Sequence, residues 1–125
     1  MPLFTILTQV GTLDAGRKTS LAESLTDTHV ELSGVPRNWV HVVFQEYASG
    51  DGFSAGAAAP SVIATVTIRT GRSQEYKHNL LTRIWALLQA ATAAQDDQIV
   101  IGVQELDSGN AMEMGRVMPA VSPSE

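Results

Sequence analysis

Two kinds of apolar pattern alternate along the chain. LFTILTQV (3–10) is short, apolar and β-branched, which predicts a strand. In 14–33 the residues Leu21, Ala22, Leu25, His29 and Leu32 recur at helical spacing and give one apolar face. Asp14 is a suitable N-cap, with Arg17 and Lys18 following, and Gly34 with Pro36 stops the helix. WVHVVFQEY (39–47) reads as a second strand, and ASGDGFSAGAAAP (48–60) as a Gly/Ala/Ser loop. VIATVTIR (62–69) is a third strand. Residues 73–94 form a second helix with Leu80, Leu81, Ile84, Trp85, Leu87, Leu88 and Ala91 inward, and QIVIGVQEL (98–106) is a fourth strand. The remainder is a tail rich in Met, Gly and Pro.

Strand–helix–strand therefore occurs twice, and the halves resemble each other. VVFQEYASG (42–50) aligns with IGVQELDSG (101–109) at an offset of 59 residues, which also brings Leu3 onto Val62. The expected fold is α/β (α+β), with duplicated βαβ units forming a four-stranded sheet and two helices on one face. Strands within each unit should be parallel with right-handed crossovers. The expected division is one domain over 1–125, its halves 1–60 and 61–119, with a tail at 120–125. Two helices cover one face only. The other, carrying Phe4, Ile6, Val42 or their alternates, would be bare in a monomer, so an oligomer is expected.

Composition narrows the functional classes. The 125 residues are 44% hydrophobic and 17% charged, with net charge −5 and no cysteine. No basic stripe points to nucleic acid. Disulfide frameworks and thiolate metal sites are excluded. No apolar run has the length of a membrane span, and the N-terminus lacks the pattern of a signal peptide, so the expectation is a soluble cytoplasmic protein with no membrane or nucleic-acid partner.

The most suggestive stretch is RTGRS (69–73). Arg69 ends a strand, Gly71 turns the chain, and Arg72 precedes Ser73, an N-cap followed by Glu75. Two guanidiniums thus converge beside a helix N-terminus, where backbone N–H groups favour an anion. Arginine grips a carboxylate bidentately, and no glycine-rich cradle for phosphate precedes the helix. The plainer reading is two surface arginines at a turn. His29 on the apolar helix face is either a satisfied core histidine or a hydrogen-bond donor to a carboxylate or carbonyl. Glu113, flanked by methionines in AMEMGR (111–116), is a candidate general base or acid, or else a tail residue paired with Arg116. His41 and His78 read as structural or solvent-facing, and Trp39 and Trp85 as core or interface aromatics. The histidines show no metal-ligand spacing, so no metal or cofactor is expected. Pro2 opens the first strand, a position that tolerates proline. Once Met1 is removed, Pro2 also presents a free secondary amine on a rigid ring.

Together these pieces resemble the tautomerase superfamily, and more closely its cis-3-chloroacrylic acid dehalogenase family. The likeness covers about residues 2 to 119. It rests on Pro2 after Met1, TDTH ending at His29, VFQE (43–46), ASGDGFSAG (48–56), the pair Arg69 and Arg72, and MEMGRVMP (112–119). The resemblance implies a homotrimer, with Pro2 as catalytic amine and Glu113 activating water. It implies that Arg69 and Arg72 bind a small carboxylate substrate, with His29 assisting. It also implies a tyrosine in the fourth strand, where this chain has Gly102. The implied activity is keto–enol tautomerisation of a phenylpyruvate-like 2-oxo acid by neutral Pro2. The alternatives are cis-3-haloacrylate dehalogenation or hydration by cationic Pro2, malonate semialdehyde decarboxylase-like activity, and a non-catalytic carboxylate-binding trimer.

Overall fold

A computed structural model describes residues 1–122. Strand β1 (Leu3–Gln9) leads into helix α1 (Ala15–Ser33), a 3-10 turn over Arg37–Trp39 and strand β2 (His41–Tyr47). A hairpin of β3 (Phe53–Ser54) and β4 (Ala57–Ala58) follows. The second half repeats the order: β5 (Val62–Arg69), α2 (Gln74–Thr92), a 3-10 turn over Asp96–Gln98, β6 (Ile99–Leu106), then a hairpin of β7 (Met112–Glu113) and β8 (Arg116–Val117). One sheet runs β2-β1-β5-β6. Its outer pairs are parallel, and the central β1–β5 pair is antiparallel with Leu3 opposite Thr67.

The duplication is visible in detail. Helix α1 maps onto α2, and β3–β4 onto β7–β8, at an offset of 59 residues. The exposed ion pair Lys18–Glu46 recurs as Lys77–Glu105. Caps recur too: Asp14 accepts from the Arg17 N–H, and Ser73 accepts from the Tyr76 N–H. The first strand of each half departs from this register. Val10 N–H donates to Tyr47 O as Thr70 N–H donates to Leu106 O, an offset of 60 on the donor side. The loop after β1 is thus one residue longer than the loop after β5. Leu3 therefore corresponds to Ile63 rather than Val62. Both lie on the uncovered face, whereas Val62 is buried.

The core lies between sheet and helices. Phe4 and Ile6 meet Val62, Ala64, Val66 and Ile68, roofed by Leu21 and Leu25 of α1 and Leu80, Ile84 and Leu88 of α2. The helix residues recur every fourth position, so each helix lays one stripe on the sheet. Phe4 and Ile6 face the helices, and Val42 packs against the same core. Their alternates Leu3, Val43, Ile63 and Val100 lie exposed on the other face. That resolves the choice the alternation left open.

The predicted loop 48–60 and the tail each contain a hairpin. Both turn through two consecutive residues of positive φ: Ala55 and Gly56 at 52° and 79°, Met114 and Gly115 at 52° and 75°. That is the primed-turn geometry of tight hairpins. The strand predicted from residue 39 starts at His41, because Pro36 O accepts from the Trp39 N–H and winds Arg37–Trp39 into a 3-10 turn. The last residues of the predicted tail, 123–125, lie outside the described residues.

Candidate active site

The chain start, the end of β5, the C-terminal half of α1 and the β7–β8 hairpin meet at one end of the sheet. Leu3 lies opposite Thr67, so Pro2 and Met1 continue alongside Ile68 and Arg69. Pro2 is buried, and its carbonyl accepts from the His41 N–H at 3.1 Å, extending the β1–β2 ladder. A missing N–H costs nothing at this strand start.

Arg69 and Arg72 are both buried, not the surface arginines of the plainer reading. Arg69 Nη1 donates to Pro119 O at 2.7 Å, and its guanidinium lies over the Trp39 ring at 5.3 Å from the centroid. The Arg72 guanidinium lies over the Tyr76 ring at 4.8 Å. Each cation rests on an aromatic face, which helps offset its removal from water. Gly71, between them, has φ +121°, and a Cβ there would stand 3.3 Å from Cβ of Val121. The glycine therefore permits both the turn and the close passage of the C-terminal segment over the arginine loop.

His29 continues the stripe Leu21–Leu25 and is 1% exposed. Its repeat counterpart is Leu88, so the second half carries leucine where the first carries imidazole. Phe4 and Tyr76 meet the ring edge-to-face at centroid distances of 6.4 and 6.1 Å. Nδ1 lies 2.9 Å from the Tyr76 hydroxyl. Nε2 is buried and has no hydrogen-bond partner among the described residues. The pKa is lowered to about 3, first by burial and then by the positive charges of Arg72, the chain N-terminus and Arg69. The ring is thus neutral near pH 7. It offers a donor or an acceptor, but not a charge.

Glu113, on β7, forms an ion pair with the Met1 amine, and His41 Nε2 lies 3.9 Å from the other carboxylate oxygen. The alternative pairing with Arg116 is a cross-strand neighbour relation within the hairpin, and the carboxylate turns to the chain start instead. A cavity of about 380 Å³ opens there, lined by Met1, Leu3, His41, Leu106, Met112 and Glu113 among others. Val35, Trp39, Ala111 and Met118 form a small apolar cluster on which Met1 and Leu106 pack.

All five residues singled out from the sequence therefore gather at this end. The N-terminus acts electrostatically on His29 and pairs with Glu113, which ties the two groups together. Sequence reading missed Tyr76 as the partner of His29 and Arg72, and His41 as the neighbour of Glu113. It took Trp39 for a generic core or interface aromatic. Tyr76 stands three residues after the N-cap Ser73, a spacing that puts it over the loop carrying Arg72. That signal is available only once the helix start is fixed. Gly102 lies on the uncovered face with open space where a Cβ would be, so no tyrosine takes that place within the chain. Among the described residues no group of three or more His, Asp or Glu side chains could hold a metal ion. None of the described helices is long and apolar enough to cross a membrane. Chemically, this end combines fixed positive charge for an anion, a neutral imidazole, and an amine–carboxylate pair able to exchange protons.

Comparison with known proteins gives a consistent outcome. Residues 1–125 match the family described as "Putative oxalocrotonate tautomerase enzyme". The crystal structure of native Ps01740 is 37% identical with a TM-score of 0.86, covering 89% of this chain and 99% of that one. The structure of N1, a member of the cis-3-chloroacrylic acid dehalogenase family, is 27% identical with a TM-score of 0.89, covering 95% and 85%. A fused 4-OT symmetric trimer shares the fold at 23% identity and a TM-score of 0.83, covering 92% and 94%. No curated protein matches the sequence.

Proposed function

The chain belongs to the oxalocrotonate tautomerase family, and from that premise we propose that it is a cofactor-independent tautomerase acting on a small 2-oxo carboxylic acid. The observation that carries this reading is the meeting of the chain start with two buried arginines and a neutral histidine. Arg69 and Arg72 would hold the substrate carboxylate, and His29 Nε2 would bond one of its oxygens. Removal of Met1 would leave the Pro2 nitrogen as the terminal amine, one residue along from the nitrogen that now pairs with Glu113. As a neutral base Pro2 would take the proton of an enol hydroxyl and return it to the neighbouring carbon, giving the ketone. The apolar wall of Met112, Leu3 and Leu106 suits a hydrophobic substituent, as in a phenylpyruvate-like substrate. A small second residue favours removal of Met1.

A second reading has its own support. Glu113 beside the terminal nitrogen favours a cationic Pro2, which could protonate the α-carbon of an unsaturated acid while Glu113 activates water for attack at the β-carbon. That is hydration, and with a 3-halogen it expels halide. Within one chain no hydroxyl stands at Gly102 to help place the water, which counts against this reading unless a neighbouring subunit of the trimer supplies one. The assembly we propose is a homotrimer, supported by the exposed Leu3, Val43, Ile63 and Val100 on the uncovered face and by the trimer of the fused relative.

The test is ketonisation of phenylenolpyruvate, run beside hydration of cis-3-chloroacrylate, on protein of measured intact mass and on Pro2→Ala. Ketonisation that falls by about 10²-fold or more in Pro2→Ala supports the base reading. Halide release at a comparable rate supports the acid reading. Met1 retained in active protein would refute both, because the Pro2 nitrogen would then be an amide.

A further inference from the structure

The internal repeat gives the sheet a second end, and a cavity of about 580 Å³ lies there. Its lining includes Thr12 after β1, Pro60 and Val62 at the start of β5, and Ala94, Gln95 and Gln98 beyond α2. Each has a counterpart at the arginine end. Offsets of 59 residues, and 60 in the first strand and its turn, relate Pro60 to Pro119, Val62 to Pro2, Thr12 to Arg72, Ala94 to Val35 and Gln98 to Trp39. The cavity is therefore the internal counterpart of the region around Pro2, Arg72 and Trp39, not of the cavity beside Met1 and Glu113.

Side-chain size explains why it is open. At the arginine end Val35, Trp39 and Met118 form a packed cluster with Met1 against it. At the other end the equivalents are Ala94, Gln98, Ala59 and Ser61, which bring less side-chain bulk to the same place. Its chemistry is inverted. No charged side chain lines it. The counterparts of Arg69, Arg72, His29 and Glu113 are Gln9, Thr12, Leu88 and Ser54. Asp96, on the adjoining 3-10 turn, is held by Gln89 Nε2 at 2.8 Å, and its negative charge further disfavours an anion. Gln98 Oε1 accepts from Ser61 Oγ at 3.3 Å, which leaves Nε2 to donate to a ligand. Gln95 and Thr12 can each both donate and accept.

We propose that this cavity is a second binding site, selective for small uncharged molecules that carry a carboxamide-type donor and acceptor. The volume falls within the usual range for small-molecule sites, about 300–1,000 Å³. The proposal rests on the repeat and the lining, not on the activity at the arginine end.

Phenylacetamide and phenylacetate share one skeleton and differ in charge, so they separate the two ends. In 15N-labelled full-length protein, phenylacetamide should cause saturable shifts of the Gln95 and Gln98 side-chain amides and of the Gly11 backbone amide. Phenylacetate should leave those signals unmoved. Gln98→Trp restores the residue found at the other end and should abolish the phenylacetamide response. Ala94→Val, a milder filling, should weaken it. Absence of saturable shifts at Gln95 and Gln98 would overturn the proposal. So would an equal response there to phenylacetate, or a full response in a folded Gln98→Trp variant.

Discussion

Acidification should unfold this protein partly through one side chain, and His29→Leu isolates that share. His29 is 1% exposed, and its pKa is lowered from 6.5 to about 3. The folded chain holds the ring neutral while the unfolded chain takes up a proton below about pH 6.5. The unfolded state therefore binds more protons, and stability rises with pH in this window. The contribution is fully present above pH 6.5 and is lost progressively as pH falls toward about 3. Between about pH 7.5 and about pH 5 the two pKa values imply a loss of about 2 kcal/mol, out of a limit of about 4–5 kcal/mol. Leucine stands at the equivalent position 88, packed in the same stripe, so His29→Leu is a substitution the fold already accommodates once. Urea unfolding at fixed protein concentration is the assay. With an m-value of about 1–3 kcal/mol/M, the wild type should lose about 1 M more in midpoint than His29→Leu over that interval. Acid loss from the carboxylates is common to both proteins and cancels in the difference. An identical fall in the two proteins would refute the argument, because it would mean that the imidazole is protonated alike in the folded and unfolded states.

Four further outcomes are expected. Tyr76→Phe removes the hydroxyl 2.9 Å from His29 Nδ1. The wild type should show a single neutral His29 tautomer by 15N NMR near pH 7 and the variant a mixture, with substrate KM raised by about fivefold for a bond worth about 1 kcal/mol. Trp39→Leu takes the aromatic face from under Arg69; carboxylate inhibitors should bind about tenfold more weakly, read by competition, for a cation–π contact of about 1–2 kcal/mol. Ala93 caps α2 at φ 57° where α1 uses Gly34 at 75°. Ala93→Gly should therefore raise the urea-derived stability by about 0.5–1 kcal/mol, as relief of left-handed strain exceeds the entropy cost. Leu25→Ala, at a fully buried core position, should cost about 2–5 kcal/mol in the same assay.

The main elements were legible because their periodicities are clean. β5 spans 62–69 as predicted, and both helices fall within a residue or two of their expected ends. Caps and stops at Asp14, Gly34 and Ser73 are local signals and survived folding. The two hairpins were not legible. Primed turns normally announce themselves by Asn-Gly or Asp-Gly, and here the pairs are Ala55-Gly56 and Met114-Gly115. Without that signal, two-residue strands leave no pattern. Yet the second hairpin is what brings Glu113 to the chain start. The parity of Leu3 and Val62 was also beyond one alignment offset, because a single extra loop residue after β1 reverses which face a strand position occupies.

The elements, their duplication and the residue types that could carry chemistry are readable from the chain alone. Those follow from local propensity and from the spacing of side chains along one chain. It takes the folded chain to bury Arg69 and Arg72 on aromatic faces, to hold His29 neutral with Tyr76 on one nitrogen, and to turn Glu113 from Arg116 to the N-terminus. Burial, partner and charge state depend on groups distant in sequence. Met1 and Glu113 are 112 positions apart, and His29 and Tyr76 are 47 apart. No local pattern encodes such pairs, because it is the antiparallel β1–β5 pairing that sets the first strand's start beside the fifth strand's end.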